Sequence, residues 1–432
     1  MSSRDASLKI VDGDTLFGST KVVASAGSHK DRSAYVQANF SQNAIFRRAV
    51  VPNPDSIDLK RREFIDYRRN WVEIPRRALE IGNTIPSVGP LCVDIEIAAV
   101  CDLACPHCFR ANYATPDKIM SDKLFYSLID ECVRLGVPSV KLNWRGEPLL
   151  HPRVIEFIRY AKDAGILDVI INTNATRLSG DVSKGLIEAG LDFLIISFDG
   201  TNAQSYEKNR PARVGENKFE TVLSNIRDFM LMRREIGAAF PYVKVQMVDI
   251  DNSGDSHQGL GQLFGTIVDE VQVSPYSERG DNGSAVEWWS NGVGLELSDS
   301  SGNKLISTGR RGCYQPFQRL MVTYDGRVSK CCYDWGSANP IGYVGDQKPA
   351  QIDPAVLIAS DRVVKGKKGF EKNVGKIVQD FQSIPEVRGL FDCWVGEPMN
   401  SFRKLQIEER LCGDTLCKKC DFKDSFNWAV KS

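Results

Sequence analysis

Between about residues 90 and 275, short β-branched runs alternate with amphipathic helical stretches, the pattern of βαβ units and a parallel sheet. The predicted strands are Cys92 to Ala98, Val140 to Asn143, Asp168 to Asn172, Phe193 to Ser197, Val243 to Val248 and Glu270 to Ser274, with five helical stretches between them. The first helix opens after Ser121, a capping residue, and sets Leu124, Leu128, Cys132 and Leu135 on one face. Gly136, Gly165, Gly190 and Gly237 each fall just past a helical stretch, where a residue tolerant of the left-handed conformation is favoured. Six strands and five crossover helices are too few to close an eight-fold barrel, so the expected fold is α/β, a partial (β/α)6 TIM-like barrel. In such parallel architectures ligands bind at the carboxyl ends of the strands.

Residues 1–88 do not join this pattern and form an N-terminal extension. Within it, Lys60 to Arg77 places Phe64, Tyr67 and Trp71 at helical spacing among Arg61, Arg62, Arg68 and Arg69. The favoured reading is a helix whose aromatic side docks on the barrel; the competing one is phosphate or nucleic-acid contact by the arginines. The Gly-, Ser-, Asn- and Asp-rich segment from Ser253 to Gly309 reads in part as a long loop and linker. The basic run Lys365, Lys367, Lys368 and Lys372 reads as a solvated surface loop. The expected division is therefore an extension at 1–88, a barrel at 89–290 and a small cysteine-rich unit at 305–432.

The 55 Lys and Arg residues balance 55 Asp and Glu residues over 432 positions, so no global field selects a polyanion and any nucleic-acid contact has to be local. No segment reaches the roughly 18 consecutive apolar residues of a membrane span, and the N-terminus lacks an apolar signal region, so a cytoplasmic protein is expected. Twelve cysteines are too many for chance packing in a reducing compartment, and they are clustered. Metal is the leading explanation.

Cys101-Asp-Leu-Ala-Cys105-Pro-His-Cys108 puts three thiols in eight residues directly after the first strand. Three converging thiolates without a fourth suit a [4Fe–4S] cube with one open iron, whereas a structural zinc site usually recruits four ligands. This C-x3-C-x2-C loop resembles that of the radical S-adenosylmethionine superfamily, whose open iron is chelated by the methionine amine and carboxylate. Trp144-Arg145-Gly146-Glu147-Pro148 resembles the family's Gly-Gly-Glu motif, with Arg145 where a first glycine is common. The resemblance implies that Glu147 and the backbone near Gly146 bind the methionine amino group and that His107 lies next to the adenine. Asn172-Thr173-Asn174 and Ser197-Phe198-Asp199-Gly200 are similar to the family's third- and fourth-strand segments, and Arg210 falls where relatives place a carboxylate-binding arginine. Taken singly, Glu147 and Asp199 could be helix caps, Asn174 a turn residue, Ser197 a strand end and Arg210 a surface charge. Ordered on consecutive strands behind the cysteine loop, they favour S-adenosylmethionine binding.

Leu320 to Tyr324, Asp325-Gly326 and Arg327 to Cys331 read as a β-hairpin with a tight turn. The spacing Cys313-x12-Gly326-x4-Cys331 resembles the opening of SPASM/twitch auxiliary domains, and Cys417-Lys-Lys-Cys420 adds a C-x2-C pair. These four thiols can ligate one further [4Fe–4S] cluster or one zinc. Cys393 and Cys412 are alternative ligands, Cys332 is expected on the opposite strand face from Cys331, and Cys92 and Cys132 are packing residues. The resemblance implies an oxidoreductase that forms a 5′-deoxyadenosyl radical and dehydrogenates a small metabolite such as a polyol or amino sugar, with flavodoxin or ferredoxin as electron donor. A peptide-modifying enzyme is the alternative within that class. A zinc-knuckle RNA-binding protein is the alternative outside it, and zero net charge argues against it.

Overall fold

The computed structural model describes residues 10–11, 59–84, 88–108, 110, 117–250, 256–275, 293–298, 304–334, 337, 339–350, 383–411, 415–418, 420 and 426–430. The run Lys365 to Lys372 and Cys412 lie outside them. In chain order the parallel core consists of β1 (Cys92–Ile95), β2 (Ser139–Lys141), β3 (Asp168–Thr173), β4 (Phe193–Ser197), β5 (Tyr242–Asp249) and β6 (Glu270–Pro275), each paired in parallel with the next. The six strands are those the periodicity predicts, with end shifts of up to three residues. The sheet runs on past β1 and does not close, as expected from six βα units.

Helices cover the outer face. The one after Ser121, α2 (Asp122–Arg134), comes after α1 (Leu59–Ile81) in the chain and begins with Leu124 N donating to the Ser121 hydroxyl at 3.3 Å. It buries Phe125, Leu128, Ile129 and Cys132, with Leu124 and Leu135 at the edge of that face. All four predicted helix-stop glycines have positive φ, Gly136 among them at 65°. Outward strand positions such as Val93, Val140, Val169 and Leu194 pack with these helices in one large apolar cluster.

Strand side chains alternate, so the other positions face the opposite way. Cys92, Phe193 and Tyr242, the first residues of three strands, pack with Phe64, Tyr67 and Trp71 of α1 (Leu59–Ile81). The aromatic helix therefore docks on the amino ends of the strands, and this leaves their carboxyl ends for chemistry. Pro75, inside α1, lacks the N–H that would bond the Trp71 carbonyl four residues earlier. Gln318 Nε2 donates to that carbonyl instead, at 2.6 Å. Arg68 and Arg319 lie over the Trp71 ring, 5.0 and 4.8 Å from its centroid. Arg69 and Arg76 pair with Asp66, Glu73 and Glu80 on the same helix, which leaves less of its positive charge for a polyanion.

Beyond the barrel, β9 (Arg319–Val322), reached after the antiparallel β7 (Val293–Ser298) and β8 (Lys304–Arg310), adds to the free side of β1 in parallel. The two strands β7 and β8 pair as a hairpin, Ser298 opposite Lys304, and occupy part of the segment expected as loop and linker; β8 also pairs with Phe426–Val430, a distant partner that a turn-rich composition does not reveal. The predicted hairpin follows: β9 pairs antiparallel with β10 (Arg327–Ser329), which pairs with β11 (Pro340–Tyr343). Its turn has Gly326 at φ 91°. Two helices, α3 (Leu390–Val395) and α4 (Glu397–Ile407), and a short turn of helix at Thr415–Lys418 follow, and then the strand Phe426–Val430. Among the described residues no helix is long and apolar enough to cross a membrane.

Replacing Trp71 with alanine opens a cavity between α1 and the strands, and a loss of about 3–5 kcal/mol of unfolding free energy is expected. Denaturant titration measures it. A loss well under about 1 kcal/mol would mean that α1 is not part of the barrel core.

Candidate functional site

The three thiols Cys101, Cys105 and Cys108 lie on the loop that leaves the carboxyl end of β1, and neighbouring loops hold that loop at several points. Ala104 N donates to Pro211 O and Arg213 N to Asp102 O, both at 2.8 Å. The Asp102 carboxylate accepts from Asn174 Nδ2 at 2.8 Å and from Thr176 Oγ1 at 2.6 Å, which ties the cysteine loop to the end of β3. Cys108 N donates to Cys105 O at 3.1 Å and closes the C-x2-C turn. Burial pushes the Cys105 thiol up to about 12 and the Cys101 thiol well above its ordinary range. A thiol so placed ionises readily only against a cation such as iron.

The turn after β2 lies directly against this loop. Gly146 has φ 71°, and a Cβ there would stand 2.6 Å from Val100 O and closer still to Ala98 O. Only glycine permits both the dihedral and the approach. Glu147 N then donates to Val100 O at 2.8 Å. The buried Glu147 carboxylate accepts from Thr173 Oγ1 at 2.6 Å, Asn174 N at 2.7 Å and Leu149 N at 3.0 Å. The last bond caps the 3₁₀ turn Pro148–Leu150, so one carboxylate serves as cap and as strand-end anchor. Burial outweighs these bonds and raises the Glu147 pKa to about 7, the behaviour of a carboxylate in need of a cation.

Arg145 places a long side chain where the resembled family commonly has a glycine. Its guanidinium turns to buried Glu96 and donates to it from Nε at 2.6 Å and from Nη2 at 2.8 Å. The guanidinium is thus held in a buried ion pair. At the end of β4, Ser197 Oγ donates to Asn172 Oδ1 at 2.9 Å. Asp199 accepts from Arg210 Nε at 2.8 Å, His107 Nε2 at 3.1 Å and Val248 N at 2.8 Å. Burial alone would raise its pKa, but Arg210, followed by His107 and the Val248 N–H, holds it down at about 2. The structure therefore gathers His107, Asp199 and Arg210 into one bonded group. Asn174 has its side-chain amide committed to Asp102, a residue that sequence reading passed over because its partner lies 72 positions away.

The second set of thiols also converges. Cys313, Cys331, Cys417 and Cys420 line one cavity together with Gln315, Phe402 and Gln406. Gln406, fully buried on α4, accepts from Cys313 N at 3.1 Å and donates to Cys417 Sγ at 3.5 Å. No motif in the sequence marks it. Cys420 N donates to Cys417 O at 3.1 Å, the same turn as at Cys105 and Cys108. Cys393 is elsewhere, buried in the apolar core against Gly342 and Val387. Cys92 and Cys132 are fully buried packing residues. Cys332 departs from the expected alternation: β10 ends at Ser329, and the Cys331 and Cys332 thiols are hydrogen-bond neighbours. Among the described residues no three Cys, His, Asp or Glu side chains close on one point as a single metal ion requires.

The Glu147 pKa of about 7 lies above its ordinary 4.5, so ionising it in the folded protein costs stability as pH rises between those values. Glu147→Gln removes the dependence. Its melting temperature relative to wild type is expected to climb between about pH 4.5 and about pH 7 and to level off above. A difference that is flat with pH, measured by thermal denaturation without ligand, would contradict the burial-driven shift.

Residues 95–232 match the sequence profile of the Radical SAM superfamily. The chain is 36% identical over 123 residues to an AdoMet-dependent heme synthase of Methanosarcina barkeri, covering 28% of this chain and 34% of that protein. It is 28% identical over 277 residues to a GTP 3′,8-cyclase of Lactiplantibacillus plantarum, covering 56% of this chain and 79% of that one. It thus spans about a third of the first relative's length and about four-fifths of the second's. Among solved structures, SuiB of Streptococcus suis bound to S-adenosylmethionine aligns at a TM-score of 0.48 and 15% identity, over 85% of this chain and 79% of that one. The profile match begins at the end of β1 and runs through α2, β2, β3 and β4, the segment that carries the cysteine loop, Glu147, Asp199 and Arg210. Residues 95–232 thus form a radical SAM domain, the domain of a superfamily that uses a [4Fe–4S] cluster and S-adenosylmethionine.

Proposed function

We propose that this protein is a radical S-adenosylmethionine oxidoreductase that dehydrogenates a small polar metabolite such as a polyol or amino sugar. One observation carries the reading: the three-thiol loop is bonded on one side to the Gly146–Glu147 turn and on the other, through Asp102, to the Asn174 strand end. Cluster and S-adenosylmethionine would therefore meet at one place. When bound, they supply a 5′-deoxyadenosyl radical that takes a hydrogen atom from the substrate.

In this reading Cys101, Cys105 and Cys108 hold the cluster as thiolates. Glu147, whose carboxylate favours a cation, binds the methionine ammonium by a charge-assisted bond beside the Gly146 backbone. His107, fixed by Asp199, lies beside the adenine; because Asp199 is ionised, the His107 Nε2 that meets it carries the proton. Arg210 keeps Asp199 charged, and Asn174 and Ser197 complete the strand ends. Lys141, Asn143, Asn172 and Gln246 alternate with outward-facing apolar residues on their strands, a polar inner face that suits hydroxyl or amino groups of a substrate.

Cys313, Cys331, Cys417 and Cys420 are assigned to an auxiliary [4Fe–4S] cluster in a shortened, twitch-like unit at residues 305–432, following an extension at 1–88 and a barrel at 89–290. Four thiols around one cavity can ligate such a cluster, with zinc as the alternative. Such a cluster would take the second electron of a dehydrogenation, the first leaving with the abstracted hydrogen atom, and a cytoplasmic flavodoxin or ferredoxin would reduce the cluster held by Cys101, Cys105 and Cys108 for cleavage of S-adenosylmethionine.

Protein purified without oxygen is expected to contain about eight irons and eight sulfides per chain, as two cubes require. Reduced with dithionite, it should convert S-adenosylmethionine to methionine and 5′-deoxyadenosine, and Cys105→Ala should abolish this. 5′-Deoxyadenosine formed by the variant at the wild-type rate would overturn the assignment.

A variant with Cys101, Cys105 and Cys108 all replaced by alanine should keep about four irons, because a fully thiolate-ligated cube does not depend on the first site. Adding Cys417→Ala and Cys420→Ala should remove them. Iron retained in the five-alanine protein would move the second centre to other ligands, and zinc without sulfide would replace the cluster.

A further inference from the structure

The two cysteine centres are physically joined by residues 144 and 145. The Trp144 indole Nε1 donates to the carbonyl oxygen of Cys332 at 2.9 Å, the residue next to Cys331 of the second centre. The Arg145 guanidinium carbon lies 4.4 Å from the Trp144 ring centroid, and buried Glu96 accepts two bonds from that guanidinium. Glu96 also accepts from Tyr324 N at 3.3 Å, at the turn of the hairpin that leads to Cys331. Two residues further on, Glu147 N donates to Val100 O, one peptide before Cys101. The connection from Cys331 to Cys101 is therefore covalent chain throughout, apart from two hydrogen bonds of 2.9 and 2.8 Å.

The parts of this link differ in how far they can yield. Glu96 and Arg145 are both buried, and separating them would strand a charge, which is strongly unfavourable. The Trp144 N–H contact is neutral and half-buried, so it can loosen or tighten without unpairing an ion. It also sits on the same short turn as Glu147, the residue assigned to the ligand.

We propose that Trp144 is a positioning residue that couples the two centres, so that a ligand bound at Glu147 alters the Cys331–Cys332 turn and with it the electron affinity of the cluster held there. The inference rests on the two-cluster reading above. Coupling of this kind is reciprocal and can be measured at either end.

The test is an EPR-monitored redox titration of the loaded full-length chain, with and without S-adenosylmethionine. In wild type, S-adenosylmethionine is expected to shift the midpoint potential of the auxiliary cluster. Trp144→Phe keeps a ring over Arg145 but has no N–H, and the shift should be lost while S-adenosylmethionine still perturbs the signal of the first cluster. Trp144→His retains a ring N–H and should keep part of the shift. Equal shifts in wild type and Trp144→Phe, or none in wild type, would overturn the inference while the two-cluster reading stands. Wild-type protein with only about four irons per chain would overturn that reading, and the inference with it.

Discussion

The close approach of Gly146 to the carbonyls of Ala98 and Val100 is the constraint on which the site depends. A side chain at 146 would push the turn after β2 away from the end of β1 and break the bond from Glu147 N to Val100 O. The Glu147 carboxylate would then leave Thr173 and Asn174, and the cysteine loop would lose one of its floors. Three strand ends are thus held in register by the absence of one methyl group. The tight turn also sets the direction of Trp144 and Arg145, which explains why a large arginine is tolerated before it: the side chain leaves the crowded approach and reaches Glu96.

Two buried carboxylates a short distance along the same rim are tuned in opposite directions. Glu147 is surrounded by neutral donors, and burial wins, so its proton is held to about pH 7. Asp199 is equally buried but faces Arg210 and His107, and their charge and hydrogen bonds win, so it remains ionised down to about pH 2. The first is left with demand for a positive partner that the protein does not supply. The second has its charge already neutralised and acts by fixing the ring and the guanidinium around it. The roles assigned to them follow from this difference in neighbours, since both are carboxylates at strand ends.

The second group of thiols hangs on the same sheet as the three-thiol loop. Because β9 pairs in parallel with β1, the hairpin that carries Cys331 begins on the strand next to the one that launches the first cysteine loop. Gln318, one residue before β9, also bonds the Trp71 carbonyl that Pro75 leaves open, so the N-terminal helix is fastened to the same edge. One strand pairing thereby sets the positions of α1, the barrel and the second group of thiols.

What the sequence determined by itself is what short spacing encodes. Six strands, the helix stops, the Asp325-Gly326 turn, the docking face of Lys60 to Arg77 and the three-thiol loop follow from periodicity and local chemistry, because these patterns act over a few residues and survive whatever surrounds them; the second group of thiols is marked only by a resemblance in spacing. Tertiary structure alone decided which thiols share a cavity and which do not, excluding Cys393 and bringing Cys332 beside Cys331. It also decided that Arg145 is spent on Glu96 and that Asp102 and Gln406 are the residues that brace the two centres. The bonds of Arg145, Asp102 and Gln406 join partners between 11 and 93 positions apart, and the shared cavity draws on thiols as distant as Cys313 and Cys420; Cys331 and Cys332 are neighbours, and there the strand's early end sets the geometry. Only the folded sheet brings such partners within hydrogen-bonding distance, so no local pattern could announce them.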